Sequence, residues 1–191
     1  ETGYGDAPAD VANTVQAFIA AGAGGLPLAD GLSGHGPLRD AGDASASVRA
    51  ARVAADASGV PIVINARVDH WLQHDGAAPA ARLADAISRA KAYLAAGADC
   101  IYPIGLADPA ALTIFVEALD APVNVAAGAG MPGLDELARV GIARVTTATR
   151  LATLALGAVD RAVGTMLDSR RFDGLVADFT YADAQRLFEP D

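Results

Sequence analysis

Ala95-Ala96-Gly97-Ala98-Asp99-Cys100-Ile101 closes a long Ala-rich run and opens a short apolar one. The same junction returns as Ala20-Ala21-Gly22-Ala23-Gly24 and as Arg139-Val140-Gly141-Ile142-Ala143. Each phrase sits between an amphipathic stretch, helical in period, and a short β-branched stretch, so it marks one recurring helix-to-strand turn. Working outward, strands are predicted at Gly25–Leu28, Pro61–Ala66, Cys100–Ile104, Val123–Ala126 and Arg144–Thr147. Helices are predicted at Pro8–Ala21, Ser45–Ser58, Pro79–Ala96, Asp108–Leu119, Leu134–Val140 and Leu151–Leu167, several opened by Asp, Ser or Pro and closed by Gly. Such alternation is how parallel βα units read, and it allows either a doubly wound sheet or a closed (β/α)8 barrel.

The 191 residues are 52% hydrophobic, 19% charged and 5% aromatic, enough to bury a core, and no linker or low-complexity segment divides them. One domain over residues 1–191 is expected. Fourteen basic against 23 acidic residues give a net charge of −9, which argues against nucleic acid or an anionic membrane as the main partner. Asp, Arg and Gly interrupt every Ala-rich stretch before it reaches the roughly 18 to 20 apolar residues needed to span a bilayer. The single Cys100 excludes an internal disulfide and fits a reducing compartment such as the cytoplasm. A barrel needs about 250 residues. The opening at Glu1, on a turn-like segment, suggests that strands lie upstream of it.

In parallel α/β folds chemistry sits at the carboxyl ends of strands, which directs attention to Glu1–Asp6, Ala29-Asp30-Gly31, Asn65–Asp69 and Asn124. Arg67 is a permanently charged fork suited to a carboxylate or phosphate, and a structural pair with Asp69 is an equally open reading. Glu1 and Asp30 are oxygen ligands of the kind Mg²⁺ takes, although capping by Asp30 and solvation of Glu1 explain them as well. His35 lies in a Gly-rich loop, and His70 and His74 flank a Trp-Leu pair whose setting reads as a loop better than as a metal site. The only lysine, Lys91, falls deep in a predicted helix, which disfavours a Schiff-base mechanism. Cys100 reads as a small buried hydrophobe. Gly128–Gly133 is a lone Gly-rich loop and weak evidence for a phosphate.

Taken together, Glu1-Thr2-Gly3-Tyr4-Gly5, Ala29-Asp30-Gly31, Ile64-Asn65-Ala66-Arg67-Val68-Asp69, Ala95–Ile101 and Pro122-Val123-Asn124-Val125 resemble the isocitrate lyase/phosphoenolpyruvate mutase superfamily over nearly the whole chain. The resemblance implies a (β/α)8 TIM-type barrel whose first strands are missing from this sequence. It also implies a homo-oligomer, a dimer of dimers that exchanges a C-terminal helix, with Leu151–Leu167 as the eighth barrel helix. Members bind Mg²⁺ (or Mn²⁺) and a small 2-oxo or 2-hydroxy carboxylic acid, and make or break a C–C or C–P bond through a pyruvate enolate. By the same resemblance Arg67 clamps the substrate and is the catalytic residue, Asn124 contacts a substrate carboxylate, and Tyr4 and Gly5 share the substrate turn. Glu1 is then the second acid of a metal-binding pair, with Asp30 beside the metal.

Three departures bear on the chemistry. Ala29-Asp30 stands where members read Glu-Asp, Ile104 stands where the lyases carry Glu, and Leu32–Asp40 replaces the Cys-containing gating loop with no Cys and no Lys. They argue against isocitrate or methylisocitrate cleavage, since the loop cysteine is the family's acid; His35 is the loop's one candidate substitute, and a flexible solvated histidine is the better reading of it. The expected function is a Mg²⁺-dependent carbon–carbon lyase or decarboxylase-like enzyme. A barrel that has lost catalysis and binds a ligand, or C–P chemistry as in the mutases, are the alternatives.

Overall fold

A computed structural model describes residues 2–32, 36–73, 76–173, 175 and 178–189. The chain forms two compact units, residues 1–147 and 148–191.

In the first unit the elements run α1 (Pro8–Ala20), β1 (Gly25–Ala29), α2 (Ala41–Ser58), β2 (Val63–Val68), a 3₁₀ turn (His70–Leu72), α3 (Pro79–Ala95), β3 (Cys100–Pro103), α4 (Pro109–Glu117), β4 (Asn124–Ala126), α5 (Leu134–Val140) and β5 (Arg144–Thr146). Local chemistry sets the boundaries. Asp40 accepts from the Gly42 amide at 2.8 Å, so α2 starts at Ala41, earlier than the predicted Ser45. Gly59 ends α2 in the left-handed region at φ 70°, where a side chain would be strained.

All strand pairs are parallel. β1 pairs with β2, β2 with β3 and β4 with β5, while an isolated parallel bridge, Ile101 to Val123, joins β3 to β4. Strand order therefore follows chain order, as around a (β/α)8 barrel, whereas a doubly wound sheet places its first strand centrally. The core lies between strands and helices: Leu26, Leu28, Ile64, Ala66, Val68 and Ile101 meet Val11, Val15, Val48, Ala51, Ala90 and Phe115. Asp99, from the recurrent turn, accepts from the Ile64 amide at 2.8 Å and pairs with Arg52 of α2, so the Ala-Gly-Ala-Asp phrase stitches a helix and two strands together.

The second unit contains α6 (Arg150–Ser169), two residues longer than predicted at its far end, and α7 (Tyr181–Arg186). α6 carries exposed Leu151, Leu154, Val159, Val163 and Leu167. α7 is capped reciprocally by Thr180 and Asp183. No helix among the described residues is long and apolar enough to cross a membrane.

Candidate active site

β2 runs two residues beyond the predicted Ala66, so Arg67 lies within the strand and not after it. The ladder explains the extension: Arg67 is in register with Ala29 on one side and Tyr102 on the other. Residues two apart share a strand face. Arg67 and Asp69 therefore point the same way, and Asp69 receives Arg67 Nε on Oδ1 at 2.5 Å and Nη2 on Oδ2 at 2.9 Å. The Gly31 amide also donates to Asp69 Oδ2, at 3.3 Å. A Cβ at position 31 would stand 2.8 Å from that oxygen, which explains the glycine after Asp30. Burial disfavours the Arg67 charge, but the bond to Asp69 and its negative charge outweigh burial and hold the guanidinium pKa above its ordinary value.

Asp30, at the end of β1, is 3% exposed. Its Oδ1 accepts from the Asp69 amide at 2.8 Å and its Oδ2 from the Tyr93 hydroxyl at 2.7 Å, with Arg89 Nη1 3.8 Å away. Burial raises the Asp30 pKa, and the hydrogen bonds from Tyr93 and Asp69 offset this only in part. Tyr93, Arg89 and Asp85 form a polar stripe at spacing four along α3. Asp85 Oδ2 lies 2.5 Å from His70 Nε2 and accepts from Arg89 Nε at 3.2 Å. Burial raises the Asp85 pKa, but the bonds to His70 and Arg89 more than reverse this and lower it.

Around the strand row, Arg67 is followed by Tyr102 and, one step beyond the Ile101–Val123 bridge, by Asn124, which is in turn opposite Arg144. Asn124 is fully buried, and neither atom of its amide has a hydrogen-bond partner among the described residues. Such groups are rare in folded proteins and mark polar atoms still open to a ligand or water.

Tyr4 and Gly5 lie in the turn before α1. Gly3 and Tyr4 both take left-handed backbone angles, φ 96° and 56°, which is unusual for a tyrosine. The Tyr4 ring is exposed and tilted against Phe18 at 6.4 Å. A Cβ on Gly5 would collide with Asp10 at 2.2 Å, so the glycine there lets the turn pack on α1.

Arg67, Asp69 and Asp30 are thus brought together, whereas Asn124 sits two strands away. Glu1, His35 and His74 lie outside the described residues. Arg39, Arg89 and Tyr93 escaped the sequence reading; the i, i+4, i+8 spacing of Asp85, Arg89 and Tyr93 was the available signal.

The described residues do not by themselves fit a Mg²⁺ site. Both Asp30 oxygens are engaged within the protein, Ala29 offers no side-chain oxygen, and no three His, Cys, Asp or Glu among the described residues are grouped to hold a metal ion.

Parallel βα units in sequential order, with an ion-paired arginine near the carboxyl end of one strand, define a protein of the TIM-barrel class. The chain belongs to the phosphoenolpyruvate phosphomutase family, whose model matches residues 1–167. Among known proteins it is 34% identical over 128 residues to 2-methylisocitrate lyase of Escherichia coli K12, covering 64% of this chain and 41% of that enzyme. A candidate lyase/mutase from Burkholderia cenocepacia J2315 superposes with a TM-score of 0.88 at 35% identity, covering 100% of this chain and 68% of the other. A candidate phosphonomutase from the same organism gives 0.81 at 39% identity, covering 86% of this chain and 66% of that one. The chain therefore spans less than half of the curated relative and about two thirds of the solved structures.

Proposed function

We propose that this protein is a lyase acting on a small 2-oxo or 2-hydroxy carboxylic acid, with Arg67 holding the substrate carboxylate. The observation that carries the reading is the setting of Arg67: its side chain is 21% exposed, and Asp69 fixes Nε and Nη2 while Nη1 stays outside the pair. A guanidinium oriented in this way meets an anion at little further entropic cost. When a C–C bond next to a 2-oxo acid breaks, its electron pair becomes an enolate, and a fixed cation at the adjoining carboxylate favours that build-up of charge. Asn124 is proposed as a second polar contact, supported by its unpartnered amide, and Tyr4 and Gly5 as the substrate turn. Mg²⁺ or Mn²⁺, with Glu1 as a ligand, enters this reading from the family alone, and no step is assigned to the ion. Assembly as a homo-oligomer is part of the proposal, supported by the exposed apolar row on α6.

A non-catalytic, ligand-binding barrel is the second reading. It is favoured by Asp30, whose oxygens are both engaged, together with the missing carboxylates at Ala29 and Ile104. An arginine fork also holds a phosphonate, so a substrate screen includes C–P compounds.

Calorimetric titration with oxalate, an analogue of the pyruvate enolate, with and without Mg²⁺, separates the readings. Metal-dependent binding is expected. No binding in either condition overturns the lyase reading. Once a substrate is in hand, Arg67→Ala is expected to lower kcat/KM by about 2 to 4 kcal/mol of transition-state binding, and an unchanged value removes Arg67 from its role.

A further inference from the structure

Arg39 lies between β1 and α2, yet its side chain is only 5% exposed. A buried cation is tolerated where hydrogen bonds meet most of its donors: the two terminal nitrogens of Arg39 bond largely to backbone, while its Nε is buried without a partner among the described residues. Nη1 donates to the Asp6 carbonyl at 2.9 Å, and Nη2 to the Gly5 carbonyl at 3.1 Å and the Thr2 carbonyl at 3.4 Å, with Asp6 Oδ1 also at 3.4 Å. Three carbonyls of one turn thus converge on one guanidinium. That turn is the one bent through left-handed Gly3 and Tyr4, a conformation that persists only where its surroundings over-determine it.

The backbone of Arg39 is held by a second set of partners. Its amide donates to the Asp30 carbonyl at 2.9 Å, and its carbonyl accepts from Arg89 Nη1 at 2.8 Å. Asp30 in turn receives the Asp69 amide, and Asp69 grips Arg67. Arg39 is therefore the joint between the Thr2–Asp6 turn and the group of side chains that orients Arg67.

We propose that Arg39 is a positioning residue that sets the Thr2–Asp6 turn against the Arg67 clamp, so that both engage one small carboxylate ligand. The inference rests on the reading of Arg67 as that clamp. Lysine keeps the charge but offers a single nitrogen, which cannot span carbonyls that are divided between Nη1 and Nη2.

Amide hydrogen exchange and oxalate titration in the presence of Mg²⁺ test it on the wild type, Arg39→Gln and Arg39→Lys. Arg39→Gln is expected to speed exchange at residues 2–6, to leave residues 63–69 unchanged, and to weaken oxalate binding on the order of tenfold, with Arg39→Lys intermediate. Unchanged exchange at residues 2–6 overturns the proposal. So does faster exchange there with oxalate affinity retained, or faster exchange throughout the first unit, which is general loss of packing. Should Arg39→Gln fail to fold, Arg39→Lys carries both measurements. A wild type that binds no oxalate defeats the functional reading, and the exchange result then decides the positioning role alone.

Discussion

Asp69 holds Arg67 with both carboxylate oxygens, and the two residues stand on one face of β2 and its extension. The carboxylate is 5% exposed and the guanidinium 21%, so the pair is largely withdrawn from water. Removing one partner of such a pair leaves an uncompensated charge, whereas replacing both by apolar groups costs far less. Asp69→Ala is expected to destabilise the fold by about 3 kcal/mol in urea unfolding, since it also strips the Gly31 amide of its acceptor. Arg67→Met combined with Asp69→Ala should recover part of that loss. Strict additivity of the two single changes would show that the pair contributes nothing as a pair.

The bond from Tyr93 to Asp30 leads to a pH prediction. Burial, as the largest cause, raises the Asp30 pKa in the folded chain above its ordinary value. In the interval between the two values the folded state binds more protons than the unfolded one, so stability falls as pH rises. The contribution is fully present below the ordinary Asp range near 4 and is lost as pH climbs through the raised value. Asp30→Asn cannot ionise, and its amide still accepts from the Asp69 amide through the oxygen while its nitrogen faces the Tyr93 oxygen. Melting temperatures measured in steps from about pH 4 to 8 should show wild type losing stability relative to Asp30→Asn as pH rises. A difference that stays flat, or grows in favour of wild type, contradicts the assignment.

Much of this was legible in the sequence because periodicity and turn chemistry are local. The strands Gly25–Ala29, Cys100–Pro103 and Arg144–Thr146 fall within a residue of their predicted bounds, and the Ala-Gly-Ala-Asp junction marked a true helix-to-strand turn. β2 was displaced by two residues: Pro61 and Ile62 precede the ladder, while the charged Arg67 and the following Val68 belong to it because they pair with Ala29, Tyr102 and Pro103. That is tertiary pairing overriding local polarity. The short 3₁₀ turn at His70–Leu72 and helix α7 were not predicted, although the Thr180–Asp183 capping box was visible. At the site, sequence spacing gave the Arg67–Asp69 pair as one of two readings, and the contacts establish the pair. It could not show that Asp30 is locked by Tyr93 and Asp69, because those partners lie 63 and 39 residues away. Arg39 was hidden for the same reason: its partners are backbone carbonyls, which carry no sequence signature.

Ala29 is the position at which one substitution separates a weakened metal site from an absent one. It closes β1 in direct register with Arg67 and is 5% exposed. A glutamate there adds the carboxylate that the family resemblance implies before the Asp. In the lyase reading, the added oxygen ligand and negative charge should tighten Mg²⁺ by roughly tenfold and strengthen Mg²⁺-dependent oxalate binding with it. The competing electrostatic outcome is that the introduced carboxylate neutralises Arg67 across the register pair. Oxalate binding would then weaken at every Mg²⁺ concentration while metal affinity stayed constant. Titrating Mg²⁺ and oxalate against wild type and Ala29→Glu distinguishes the two, because only the first makes the affinities for metal and anion rise together. Constant Mg²⁺ affinity would mean that loss of this carboxylate does not explain how the site departs from its relatives, and that any metal bound here is held without position 29.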